Sequence, residues 1–158
     1  MANMVETASQ TLLPSDDLDY AAAFAALCQV HSEIKRDGVS PCLLLRRAHA
    51  RFALGNFLAA AFDAERVVRE QPDWVDAHYL KGQACLAMAA VRLGRARPGV
   101  GVYMPVEGLP PLAHLLNVAR RSFQSVLDRS EDDRQAQRGL RLVDEWQGPS
   151  ASAFSITV

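Results

Sequence analysis

Only three cysteines occur in the 158 residues, Cys28, Cys42 and Cys85, and no two of them form a CxxC pair. An odd, scattered set of this kind argues for free thiols in a reducing compartment, the cytoplasm or the nucleus. Charge of one sign is also missing: 17 basic against 18 acidic residues leave a net charge of −1. That balance gives no electrostatic reason to expect nucleic acid or an acidic membrane as the main partner. No uncharged apolar run reaches the roughly 18 residues that a membrane span needs. Met1 to Asp17 lacks the basic start and apolar run of a signal peptide, so none is expected. Catalytic signatures are absent as well. No Ser or Cys stands in a nucleophile-elbow motif, and Gly99-Val100-Gly101 does not lie between a strand and a helix, so it is no phosphate loop.

What is present is helical periodicity. Hydrophobic residues make up 49% of the chain, enough for a core without metal or disulfide staples. Ser15 or Asp16 offers an N-cap, and Tyr20, Phe24, Leu27, His31 and Ile34 then follow in steps of three and four up to Gly38. Ser40-Pro41 starts a second helix, with Ser as cap and Pro at the first helical position, and Gly55-Asn56 stops it. A third runs from Phe57 to Pro72, and a fourth from Val75 through Met88. Arg92 to Pro111 holds four glycines and four prolines and reads as a loop, with short extended pieces around Val100–Tyr103. Helix resumes from Leu112 to Leu127 and again over Asp132 to Trp146. The acids Asp16, Asp17, Asp19, Asp132 and Asp133 lie near helix starts, where capping and the helix dipole explain them better than acid–base catalysis.

The helices come in pairs with a repeat. In a 34-residue unit counted from Pro41, Gly55-Asn56-Phe57 falls at the turn, Ala60 at position 20, Ala64 at 24, Val67 at 27 and Pro72 at 32. The next unit opens at Val75 and places Ala77 at position 3, Gly82 at 8 and Ala84 at 10. Asp19-Tyr20-x-x-Ala23 repeats Asn56-Phe57-x-x-Ala60, so the first helix reads as the second member of a pair whose first member is missing or degenerate. Ala119, Phe123 and Val126 fit the second helix of the unit opened by Val75, and Ala136 and Leu140 a final first-type helix. About 130 residues are covered, and the chain resembles the tetratricopeptide repeat family. The resemblance implies an all-α superhelix of about six antiparallel helices. Small residues let two helices approach closely, and Gly82, Ala60 and Ala119 supply such notches. The departure is an insert of about 25 residues near Val91–Leu112, tolerable because long surface loops cost little closure entropy. The expected organisation is a flexible segment 1–15, a helical domain 16–147 with its insert at 92–111, and a flexible tail 148–158.

Repeats of this family bind protein or peptide ligands in a groove lined by the first helix of each pair. The resemblance places Cys42, Leu45, His49 and Phe52, then Asp76, Tyr79, Gln83 and Leu86, on that groove, with Arg46 and Arg138 bordering it. Packing against a terminal helix or the insert is the competing role for some of them. Leu43 to Met88 is similar to co-chaperone repeats that clamp an acidic C-terminus, but Asp76 and Leu80 stand where that clamp carries its basic pair. The insert is a second candidate: Arg92, Arg95 and Arg97 lead into an apolar, Pro-bounded run with Val102, Tyr103 and Met104. A solvated loop is the alternative there. The C-terminal Phe154–Val158 could add a strand to a PDZ-like domain, or end this way by chance.

For metals, Cys28 and His31 have a permitted spacing, whereas Cys42/His49 and His78/Cys85 stand roughly 10 Å apart along a helix, too far for one ion. Without a second close pair, Cys28 and His31 read as core packing, and no metal, cofactor or catalytic residue is expected. The resulting expectation is a non-catalytic adaptor or co-chaperone-like module for a protein or peptide, without nucleic acid or membrane. A structural subunit that self-associates, a homodimer for instance, through an exposed helical end stays open. An RNA-binding repeat using Arg46, Arg47, Arg51, Arg120 and Arg121 would require steeply salt-dependent binding.

Overall fold

The computed structural model describes residues 20–96 and 106–148. Six α-helices account for most of them: α1 Tyr20–Asp37, α2 Pro41–Ala53, α3 Phe57–Glu70, α4 Val75–Arg92, α5 Leu112–Leu127 and α6 Arg134–Gln147. A single 3-10 turn, Val106–Gly108, precedes α5, and the described residues contain no strand. The fold is all-α, as the periodicity implied. The expected start of α1 at Ser15 or Asp16, the segment 1–15, and the tail beyond Gly148 with Phe154–Val158 lie outside the described residues. No helix among the described residues is long and apolar enough to cross a membrane.

The turns follow from local chemistry. The Leu43 amide donates to Ser40 Oγ at 3.3 Å with Pro41 at the first helical position, and the Ala59 amide donates to Asn56 Oδ1 at 3.3 Å. Asp133 Oδ1 accepts from the amides of Gln135 and Ala136 at 3.0 and 2.8 Å, so the last helix starts one residue past its acid cap. Gly38 and Gly55 close α1 and α2 with φ of 88° and 78°, a left-handed conformation that a side chain would oppose. Helix α4 continues to Arg92, a turn beyond Met88, because Ala89, Ala90 and Val91 are buried and tertiary packing extends the helix.

Each helix packs on its neighbours in the chain, and α4 also touches α2 and α6. Helices α2, α4 and α6 thus lie side by side, with α3 and α5 packed against them. Two apolar clusters fill the space between: one spans α2 to the start of α4, the other the rest of α4 with α5 and α6. Phe52 packs against both, and its ring lies 5.3 Å from that of Phe57.

Helices α4, α5 and α6 meet closely around Phe123, which is fully buried. Gly82 of α4 and Gly139 of α6 both face its ring, and a Cβ on either would come within 2.9 and 2.5 Å of ring carbons. The notch expected at Gly82 is thus filled by Phe123. Gly139, which the repeat pattern did not single out, supplies the opposite one.

Candidate functional site

The groove residues expected from the repeat register divide into two sets. Leu45 and Leu86 do not line a surface. They are 7% and 2% exposed and belong to the two core clusters, because each also lies on the side of its helix that meets the neighbouring layer. Phe52 is half-buried between those clusters. The polar members remain accessible: Cys42, Arg46, His49 and Asp76 are exposed, and Tyr79 and Gln83 half-buried.

Helical spacing and hydrogen bonding draw these polar groups into a strip across α2, α4 and α6. Asp76 lies near enough to His49 to favour its imidazolium, but desolvation outweighs this and holds the His49 pKa below 6.5. On α4 the Gln83 side-chain amide donates to the Tyr79 hydroxyl at 3.1 Å, and that hydroxyl donates in turn to Gln135 Oε1 on α6. Burial first, and then the charge of Asp133, push the Tyr79 phenol up to about 12 against the pull of Arg138. Tyr79 therefore stays a neutral hydroxyl, fixed in direction at both ends. Arg46 turns away from this strip and pairs with Glu33 of α1, at 2.5 and 3.2 Å.

Other arginines pair with carboxylates, some of them buried and some at the surface. Asp63 of α3, only 5% exposed, receives two hydrogen bonds from Arg47, at 2.9 and 2.7 Å, and one from Arg51 at 2.7 Å. The two guanidinium groups respond in opposite directions. The paired bonds to Asp63 raise the Arg47 pKa, whereas desolvation lowers that of Arg51, which has one bond only and a like charge beside it. Arg120 bonds Asp144 and Gln147 of α6 at 2.6 and 2.7 Å. Of the five arginines considered for RNA, four are thus committed to carboxylates. An acid such as Asp63 amid the apolar and small residues of α3 was the available sign of a buried ion cluster.

The described part of the insert is anchored at both ends. Arg92 donates to the carbonyls of Val106 and Leu109 at 2.9 and 3.3 Å, and Leu109 enters the core. The Arg95 guanidinium lies 5.4 Å from the Trp146 ring centre and 3.5 Å from Glu145. Arg97, Val102, Tyr103 and Met104, with the extended pieces expected around Val100–Tyr103, fall outside the described residues.

Cys28 and His31 do not share a core site: Cys28 is exposed, and His31 is half-buried on the side near Arg47, Arg51 and Asp63. Desolvation first, then Arg47, Arg51 and Lys35, lower the His31 pKa. No group of three His, Cys, Asp or Glu side chains converges among the described residues. Cys85 is buried, and burial pushes its thiol up to about 11. Arg129, which sequence reasoning passed over, reaches from the end of α5 to the Pro72 carbonyl and Asp73 at 3.0 and 2.9 Å, and ties two turns together. No family model matches the chain, and no curated protein or solved structure matches it either.

Proposed function

We propose that this chain is a non-catalytic protein-interaction module, tetratricopeptide-like in its helix pairing, that takes an extended peptide on the face of α2, α4 and α6. The observation that carries this reading is the strip of His49, Asp76, Gln83, Tyr79 and Gln135 running across three helices. An extended peptide presents alternating amide donors and carbonyl acceptors. A row of amide, hydroxyl and imidazole groups on rigid helices offers partners for both at little ordering cost. Leu45 and Leu86 act beneath this face, by holding α2 and α4 in place.

The same face argues against an acidic C-terminus as ligand. Asp76 is exposed where a clamp would carry a cation, and Leu80 at the other clamp position is fully buried. The ligand that suits this surface is neutral or mildly basic, read through its backbone and one or two side chains.

Selection of peptides from a random display library on the full chain tests the reading. Selected peptides are expected to lose at least about tenfold in affinity for His49→Ala and Gln83→Ala, since each removes hydrogen-bonding groups from the strip. Retention of full affinity by both variants, with unchanged helicity, would place the binding surface elsewhere.

A further inference from the structure

The Arg47–Asp63–Arg51 cluster is not electrically balanced. Two guanidinium groups share one carboxylate, and their side chains are only 19% and 22% exposed. Arg47 commits its forked edge to Asp63, Nε and Nη2 each donating to one carboxylate oxygen. Arg51 gives Asp63 only Nη1, so its own Nε–Nη2 edge meets no acceptor among the described residues. A cation in the last turn of α2 suits the helix dipole. The dipole does not account for a cation drawn out of water with most of its donors unused, in which desolvation outweighs pairing.

Helix α1 brings two more groups to the same place. His31 is close enough to Arg47, Arg51 and Asp63 for their charges to act on it, and Lys35, one turn along the same side of α1, acts on it too. Neither His31 nor Lys35 has a hydrogen bond or ion pair among the described residues. Around His31, three cations thus stand against one acid. Glu33 of α1 and Glu70 of α3 do not relieve the excess, being paired with Arg46 and Arg66. That excess and the donor geometry select a ligand. A carboxylate has two oxygens and one charge, so the Arg51 edge alone would exhaust it. A phosphate monoester has three free oxygens and close to two charges at neutral pH. Two oxygens fit the forked edge of Arg51, and the third is left for Lys35 or the ring N–H of His31. The ester oxygen then takes the outward side, where the chain that carries it continues.

We infer that Arg51, Lys35 and His31, backed by Arg47, form a binding site for a phosphorylated side chain of a partner protein. Asp63 holds the two arginines in place and is not a ligand. The site lies on the side of α2 turned away from His49, since Arg47 and Arg51 each stand two residues from it along the helix. It uses no residue of the strip on α2, α4 and α6, so it does not depend on the peptide-binding reading.

NMR titration of the full chain is the test, with inorganic phosphate, phosphoserine blocked at both ends, and acetate as probes, at about pH 7.5 and constant ionic strength. Phosphate and phosphoserine are expected to shift the Arg51 Nε–H and His31 ring resonances saturably, and acetate to bind at least about fivefold more weakly. Binding also raises the His31 pKa, because a nearby anion favours the imidazolium. Arg51→Lys keeps the charge and loses the fork, and weakens phosphoserine binding about tenfold or more. Lys35→Gln, at an exposed and unpaired position, leaves helicity unchanged and weakens binding about threefold or more. It keeps the test decisive if Arg51→Lys disturbs the fold. No saturable response at Arg51 and His31 overturns the inference. So does acetate bound as tightly as phosphoserine, phosphate bound with phosphoserine refused, or binding indifferent to Lys35→Gln.

Discussion

Gly139→Ala tests the packing around Phe123 directly. Alanine is the better helix former by about 1 kcal/mol in a helix interior, so α6 alone would gain from the change. Packing works against it. The new Cβ would stand 2.5, 2.6 and 2.8 Å from three ring carbons of Phe123. The ring cannot retreat, because on its other side Gly82 leaves only enough room that a Cβ there would come to 2.9 Å. Overpacking of a dense core costs about 1–3 kcal/mol, and a contact this short on a confined ring belongs at the upper end. The net expectation is a loss of about 1–2 kcal/mol, which lowers the melting temperature by roughly 2–8 °C for a chain of this size. Urea and thermal unfolding followed by circular dichroism measure it. The cause is isolated by adding Phe123→Leu, which removes the atoms in conflict. The double variant should be more stable than the sum of the two single effects by at least about 0.5 kcal/mol. If Gly139→Ala stabilises the protein, or if the two changes simply add, the clamped ring is not what demands glycine.

Asp63→Ala leaves Arg47 and Arg51 without their shared carboxylate and is expected to destabilise by about 3 kcal/mol, the low end for a broken buried pair because both arginines reach solvent; urea midpoints read this, and a loss no larger than that for an exposed pair such as Arg66–Glu70 would deny the cluster its role. The pKa values of His31 and His49 lie below 6.5 in the folded state, so the unfolded chain binds more protons as pH falls through 6.5. Stability should therefore be complete above that pH and decline below it until the folded imidazoles also protonate, and a His31→Asn, His49→Asn variant should flatten the slope of urea midpoint against pH. Thiol titration of the native protein should find Cys28 and Cys42 reactive and Cys85 silent until unfolding, since Cys85 is both buried and held up to about 11; prompt labelling of all three would show α4 to be open.

The periodicity of the chain determined a great deal without any structure. Ser40-Pro41, Asn56 and Asp133 announce helix starts, Gly38 and Gly55 announce stops, and the observed helices begin and end at or beside them. These are local effects, decided by capping and by backbone conformation within a few residues, so they can be read from a few residues. The alternation of small and large positions, with Gly82 and Ala119 among them, likewise carried the close packing of successive helices.

Other features depended on groups far apart in the chain meeting in space. Leu45 and His49 occupy the same nominal groove, one turn apart, yet one is buried and the other exposed; the rotation of α2 against its neighbours decides which. The apolar surroundings of Asp63 in α3 hint at a buried acid, but its partners Arg47 and Arg51, and the link from Tyr79 to Gln135, 56 residues away, have no local signature, because a side chain's partner is set by how helices cross. The exposure of Phe24 on α1 belongs to the same class: Phe24 has a core residue's chemistry and helical spacing, and only the packed structure shows that no described helix covers it. Spacing along one helix fixes which residues share a face. What that face meets is settled by long-range packing, through the burial of apolar area and the pairing of charges that no single segment contains.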